Sequence, residues 1–168
     1  MGLVELPQWL TDLLQSLQDQ PFAIAIGESP SLFPWIESVH VLAITAVLGS
    51  IAVIDMQLLG LTSHRRSVRT LMADVLPLTW VGFAIAVVSG ALLFSSNAVR
   101  YAGLPSFQAK GVLMALAGLN MLVFHLFVER SIDASGERPP PPAARFAGGA
   151  SLTLWIGVTI AGRLIGFE

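Results

Sequence analysis

The chain has 168 residues, 54% of them apolar and only 12% charged, with a formal net charge of −2. A soluble domain carries about a quarter charged residues, so the composition points to an integral membrane protein; the near-neutral balance, without a basic stripe, excludes a nucleic-acid partner. Cysteine is absent, which removes disulfides, thiolate metal sites, iron–sulfur clusters and cysteine nucleophiles together.

Residues 1–30 are predicted to form an amphipathic segment. Met1 to Glu5 lack the basic stretch of a signal peptide, so the first span is expected to act as its own insertion signal. Leu3, Leu6, Leu10, Leu13, Leu14 and Leu17 recur at helical spacing, with Asp12, Gln15 and Asp19 elsewhere on the wheel. This reads as a helix lying on the membrane surface or capping the bundle, or packing on a partner subunit. Pro21 to Pro30 reads as a loop.

Residues 31–168 are predicted to form an all-α, up-down bundle of four membrane spans with short loops. The first runs from about Phe33 to Leu61, with Pro34 in its first turn. The second runs from about Val75 to Ala98, with Pro77 in its first turn. The third covers about Phe107 to Val128. The fourth follows Pro139 to Pro142, from about Phe146 to Ile165. Short loops are expected to bring sequential spans together. Arginine sets the orientation: Arg65, Arg66 and Arg69 follow span one, and Arg130, Arg138 and Arg145 follow span three. The opposite side holds Arg100, Lys110 and Arg163, and no Lys or Arg precedes span one. The positive-inside rule then places both termini outside the cytoplasm, periplasmic in a bacterial inner membrane.

Polar residues inside spans are expensive and are functional candidates. His40 lies before the midpoint of span one and His125 after the midpoint of span three, so the two are separated in depth by about 20 Å. They cannot share one metal or one haem iron. On the outer side, Glu37 and His40 share a helix face, and Lys110, Arg163 and Arg100 reach the same layer. Such a cluster suits a haem with its propionates on the cations, a quinone or a lipid headgroup; simple snorkelling is the alternative for the cations. Met114 lies at a depth comparable to His40 and is a candidate second axial ligand. On the inner side, Asp55 and His125 fall at similar depth, with Asn120 nearby. They form either a cofactor or proton site, or a structural Asp–His hydrogen bond between helices. Met56, Met114 and Met121 raise copper as a ligand, against ordinary packing. Trp35, Trp80 and Trp155 are placed as belt aromatics near span ends. His64 is expected to be solvated in the basic loop. No Ser-centred elbow, phosphate loop or paired-histidine zinc motif is present.

Trp35-Ile-Glu-Ser-Val-His40 and Ile54-Asp-Met-Gln-Leu-Leu-Gly60 resemble segments of an uncharacterised family of four-helix bacterial inner-membrane proteins. So do Leu76-Pro-Leu-Thr-Trp80-Val-Gly-Phe, Ser89-Gly90, Leu92-Leu93-Phe94, Phe107-Gln-Ala-Lys110, Gly118-Leu-Asn120 through His125, and Trp155 through Gly162-Arg163. The family is distantly similar in layout to CopD-like copper-resistance proteins and small b-type membrane cytochromes. The resemblance implies that Glu37, His40, Asp55, Lys110, His125 and Arg163 belong to its motifs. Gln57 stands where the family is associated with a basic residue.

Three functions are weighed. The first is a haem-b protein transferring electrons at the outer side of the membrane, exchanging with quinone or a periplasmic redox partner. Here His40 and His125 are iron ligands, or copper ligands, and a symmetric homo-oligomer is one route to pairing His40. The second is a non-catalytic anchor or subunit of a larger complex. The third is a copper- or proton-translocating protein with Asp55 and His125 as its conduit.

Overall fold

The computed structural model describes residues 3–61, 67–132 and 139–168; His64, Arg65, Arg66 and Arg138 lie outside the described residues. Seven α-helices follow one another among the described residues: α1 (Gln8–Gln18), α2 (Pro21–Glu28), α3 (Leu32–Leu58), α4 (Val68–Ser95), α5 (Ala98–Gly103), α6 (Pro105–Val123) and α7 (Pro142–Leu164). The helix α6 continues through a π-helical turn, Phe124–Val128, and a 3-10 turn, Glu129–Ser131, while α7 ends in a 3-10 turn, Ile165–Phe167.

Four stretches, Leu32–Leu58, Val68–Ser95, Pro105–Ser131 and Pro142–Phe167, are long and apolar enough to cross a membrane. Helices close every backbone hydrogen bond internally, as hydrocarbon requires. No more than 28% of the most apolar window of any span is buried inside the chain, so the remaining apolar surface faces lipid. The chain is a multi-pass membrane protein built as an all-α bundle.

Local signals set the helix ends. Pro21, Pro105 and Pro142 each open a helix, where a missing N–H is no loss. Ser67 caps α4, its Oγ accepting from the Thr70 N–H at 3.2 Å. The helix α3 stops at Gly60, whose φ of +77° suits glycine. There Leu61 N–H reaches the Met56 carbonyl at 2.9 Å and Gly60 N–H reaches Gln57 at 3.0 Å, a Schellman closure.

Two local expectations are corrected. The segment expected as a loop after residue 20 is helix α2, since Pro21 can start a helix as well as break one. Pro77 is interior to α4, not in its first turn, because the helix begins at Val68. Its ring frees the Ala73 carbonyl from the helical ladder.

Around the bundle, α3 packs on α4 and on α7, and α7 packs on α6, whereas α4 and α6 do not pack along their lengths. Sequential neighbours were expected to pack together; spans two and three meet only near their ends, with α5 between them in the chain and Gly82 and Gly90 of α4 turned to α3. A Cβ on Gly82 of α4 would lie 3.1 Å from Val47 of α3, and one on Gly157 of α7 would lie 3.2 Å from Leu113 of α6. At Gly148 of α7 the neighbour includes backbone: an added Cβ would meet Leu58 Cβ at 3.0 Å and the Asp55 carbonyl at 3.1 Å.

The apolar core sits at the end carrying Leu61, Ser67, Glu129 and Pro141, and unites Ile54, Leu58, Val68, Met72, Phe124, Ile132, Ala144 and Ala147. At the opposite end, α1 lies on α5 of its own chain, with Val4 N–H donating to the Gly103 carbonyl at 2.8 Å. Trp9 and Leu13 of α1 remain 68% and 58% exposed, an apolar face turned away from the bundle. The C-terminal Glu168 carboxylate accepts from the Ser106 hydroxyl and backbone N–H, which places a negative charge at the α6 N-terminus.

Gly148→Ala should destabilise the purified protein by about 1–3 kcal/mol, because backbone atoms must move apart. Gly111→Ala, where an added Cβ meets nothing within 4 Å, should be neutral or stabilising by up to about 1 kcal/mol. Thermal midpoints of the two variants in one detergent check the contrast.

Candidate functional site

A cavity of about 200 Å³ lies among the four spans, toward the core end. Its floor is α3 (Val47, Ile51, Ile54, Asp55, Leu58) and α7 (Ala147, Ser151, Trp155). One wall is α4 (Met72, Leu76, Thr79, Trp80, Phe83), and the other is α6 with its π-helical turn (Met114, Ala117, Gly118, Asn120, Met121, Phe124, His125). These two walls are the helices that do not pack.

The seam between them is closed at both ends. Phe94 and Phe107 stack with centroids 5.1 Å apart at one end. At the other, Met72 and Phe124 share the apolar core, and Arg69 Nη2 donates to the Glu129 carbonyl at 3.4 Å. Between these closures, Trp80, Met114 and Met121 line the cavity yet are 53%, 38% and 42% exposed. The cavity therefore opens sideways, at mid-span, onto the lipid-facing surface. Trp80 and Trp155, expected as belt aromatics, lie well inside their helices and line this cavity instead. Trp35 is 72% exposed near the start of α3.

The polar groups of the lining are few. Asp55 is 4% exposed and is hydrogen-bonded by the Ser151 hydroxyl of α7, while its Oδ2 is buried without a hydrogen-bond partner. Leaving such an oxygen unsatisfied costs about 1–3 kcal/mol. Thr79 donates to Ser50 Oγ at 2.8 Å, and Ser50 donates to the Val47 carbonyl at 2.9 Å. Asn120 Nδ2 donates to the Ala147 carbonyl at 3.0 Å, tying α6 to α7.

His125 lines the same cavity as Asp55, but its Nδ1 pairs with Glu129 Oε2 at 2.8 Å on its own helix. The Asp–His bond weighed in the sequence is thus replaced by two separate pairs, Asp55–Ser151 and His125–Glu129. The reason is geometric: Gly148 lets α7 approach Asp55 closely, while the i, i+4 spacing hands His125 a carboxylate of its own. A carboxylate on Nδ1–H fixes the ring and leaves the lone pair of the neutral imidazole on Nε2.

The second cluster is nearer the terminal end. His40 Nδ1 lies 3.0 Å from Ser89 Oγ, and that hydroxyl itself donates to the Ile85 carbonyl at 2.6 Å. The Ser89 proton is therefore spent, and His40 Nδ1–H is the donor between them. Gly90 accommodates the ring, since a Cβ there would come within 2.9 Å of His40 Cε1. The charges of Lys110 and Glu37 reach His40, and Lys110 Nζ lies beside Gly162 of α7. Glu37 is exposed, and the Arg163 guanidinium sits over the Phe167 ring at 5.2 Å. Arg100 is exposed on α5.

His40 and Met114 do not form one axial pair: His40 packs against α4, Met114 lines the central cavity, and α3 and α6 do not pack. Met114 and Met121 do line one cavity with His125, joined by Met72, whereas Met56 is absent from that lining. Among the described residues, no three His, Cys, Asp or Glu side chains converge as a metal site.

Sequence reasoning missed Ser151, Glu129, Ser89 and the gap beside Gly118. Glu129 was visible at the i, i+4 spacing from His125. Ser89 and Ser151 carry no distinguishing signal, because serine in an apolar helix often bonds only its own backbone. Comparison with protein-family models, with curated proteins and with solved structures finds no match to this chain.

Buried Asp55 and half-buried Asn120 should respond differently to substitution. Asn120→Ala should destabilise by about 0.6–1.7 kcal/mol, the range for hydrogen bonds between membrane helices. Asp55→Asn should leave the thermal midpoint unchanged or raise it, because the replaced oxygen has no hydrogen bond to lose and the amide carries no charge to bury. A fall matching that of Asn120→Ala would mark Asp55 as a structural tie.

Proposed function

We propose that this chain binds a lipid-soluble ring compound of the quinone class, taken from the bilayer through the seam between α4 and α6. In this reading it is the membrane-embedded part of an electron-transfer system in a bacterial inner membrane, with both termini on the periplasmic side. The observation that carries the reading is the laterally open, aromatic-lined cavity holding an unpartnered carboxylate oxygen.

Several features support it. The cavity, at about 200 Å³, is smaller than the roughly 300–1,000 Å³ of pockets that enclose a drug-sized ligand. It suits a single ring, and the side opening lets an apolar tail remain among lipid chains. Phe83, Trp80 and Trp155 offer ring faces. Soluble substrates have no comparable route, since the opening lies between two lipid-facing helices.

The test is quenching of tryptophan fluorescence by a decyl-substituted benzoquinone, with the full chain in lipid nanodiscs. Gly118 lines the opening, and a Cβ added there meets nothing within 4 Å. Gly118→Phe should therefore fill the opening without disturbing the fold and abolish saturable quenching. Saturable quenching that survives in Gly118→Phe would place the ligand elsewhere.

Haem b is the second reading, and one observation favours it. With Nδ1–H donated to Ser89, the neutral His40 ring keeps a lone pair on Nε2, the arrangement of a metal-ligating histidine. Bound there, haem would supply one-electron chemistry, and Lys110 would meet its propionates. In this reading the second ligand comes from another chain, either a second copy of this one or a partner subunit. Protein purified from haem-replete cells should then show sharp α and β bands after dithionite, lost in His40→Ala; colourless protein removes this reading.

A further inference from the structure

Among the described residues, one buried side-chain oxygen is left without a hydrogen-bond partner, and it narrows the ligand. Asp55 Oδ2 is buried, partnerless and on a side chain that lines the cavity. The neighbouring polar side chains each have a partner within the chain already. Ser151 donates to Asp55, Thr79 to Ser50, the Asn120 amide to the Ala147 carbonyl, and His125 Nδ1–H to Glu129. An apolar, aromatic enclosure is thus left with one deep oxygen that only an incoming molecule can complete.

We infer that the ligand carries a hydroxyl on an aromatic head, as a quinol or alkylphenol does, and that this hydroxyl bonds Asp55 Oδ2. The inference rests on the cavity being a ligand site and deepens that reading by naming the head group. A hydroxyl serves Oδ2 in both of its states. It donates to a carboxylate and accepts from a carboxylic acid. A ketone or ether oxygen serves only the acid, and an ammonium only the carboxylate. The room available is that of one ring, and the exposed Trp80, Met114 and Met121 mark where a tail leaves toward lipid.

The experiment compares two probes that differ by one donor, a ring-brominated 4-nonylphenol and its methyl ether. Both are titrated against the full chain in nanodiscs by quenching of indole fluorescence. The ether oxygen can still accept from an indole N–H, so the difference isolates donation by the probe. The phenol should bind about tenfold tighter or more, the ratio expected of a hydrogen bond to a buried carboxyl group. Asp55→Ala should erase the ratio, and Asp55→Leu, closer in volume, serves where the alanine variant does not fold. Gly118→Phe should block both probes. Equal binding of phenol and ether, both blocked by Gly118→Phe, would overturn the hydroxyl assignment and leave the cavity reading intact. A brominated benzylammonium probe that outcompetes the phenol would also overturn it, in favour of a cationic ligand. Failure of every probe to bind saturably would remove the cavity reading itself.

Discussion

The close approach of α7 to α3 at Gly148 is the contact on which the rest of the arrangement depends. Between membrane helices no hydrophobic force drives association, because lipid is as apolar as the side chains, so contact rests on packing and hydrogen bonds. A glycine that lets backbones come together is decisive under those conditions. Gly148 sets α7 against Asp55 and Leu58, and Gly82 sets α4 against Val47. With α3 held from two sides and α6 carried on α7, the fourth seam of the bundle stays open along its middle, where Gly118 meets no neighbour.

An open seam in a membrane protein is a route for lipid-soluble molecules, and here it leads to the most polar part of the interior. Asp55, Ser151, Asn120 and the His125–Glu129 pair lie around a lining otherwise made of aromatic, aliphatic and methionine side chains. Each of these polar groups except Asp55 Oδ2 has an identified use within the chain. The two histidines thereby separate in role. His125 belongs to the cavity with a carboxylate behind it, and His40 is seated on α4 over Gly90.

Much of this was legible in the sequence, and what was not has identifiable causes. Span number and class followed from apolar run length. The depth of Asp55 and His125 followed from helical rise, and the burial of Asp55 agrees with its place on the wheel. Misplacing Trp80 came from drawing span two too short. Apolar runs mark the hydrocarbon-crossing part of a helix, whereas α4 begins earlier, at Val68, with polar residues that a hydropathy reading leaves outside. The same error put Pro77 in a first turn.

The sequence by itself determined that the chain crosses a membrane as four helices, because no other open structure satisfies its backbone in hydrocarbon. It also determined which polar residues would be buried there at a cost. Only the tertiary structure decided which helices touch, since every span presents apolar residues on all sides and its pattern names no partner face. Steric detail settled that choice, at Gly148, Gly82 and Gly157. With it came the partners of Asp55 and His125, the lateral opening beside Gly118, and the Asp55 oxygen buried without a hydrogen-bond partner.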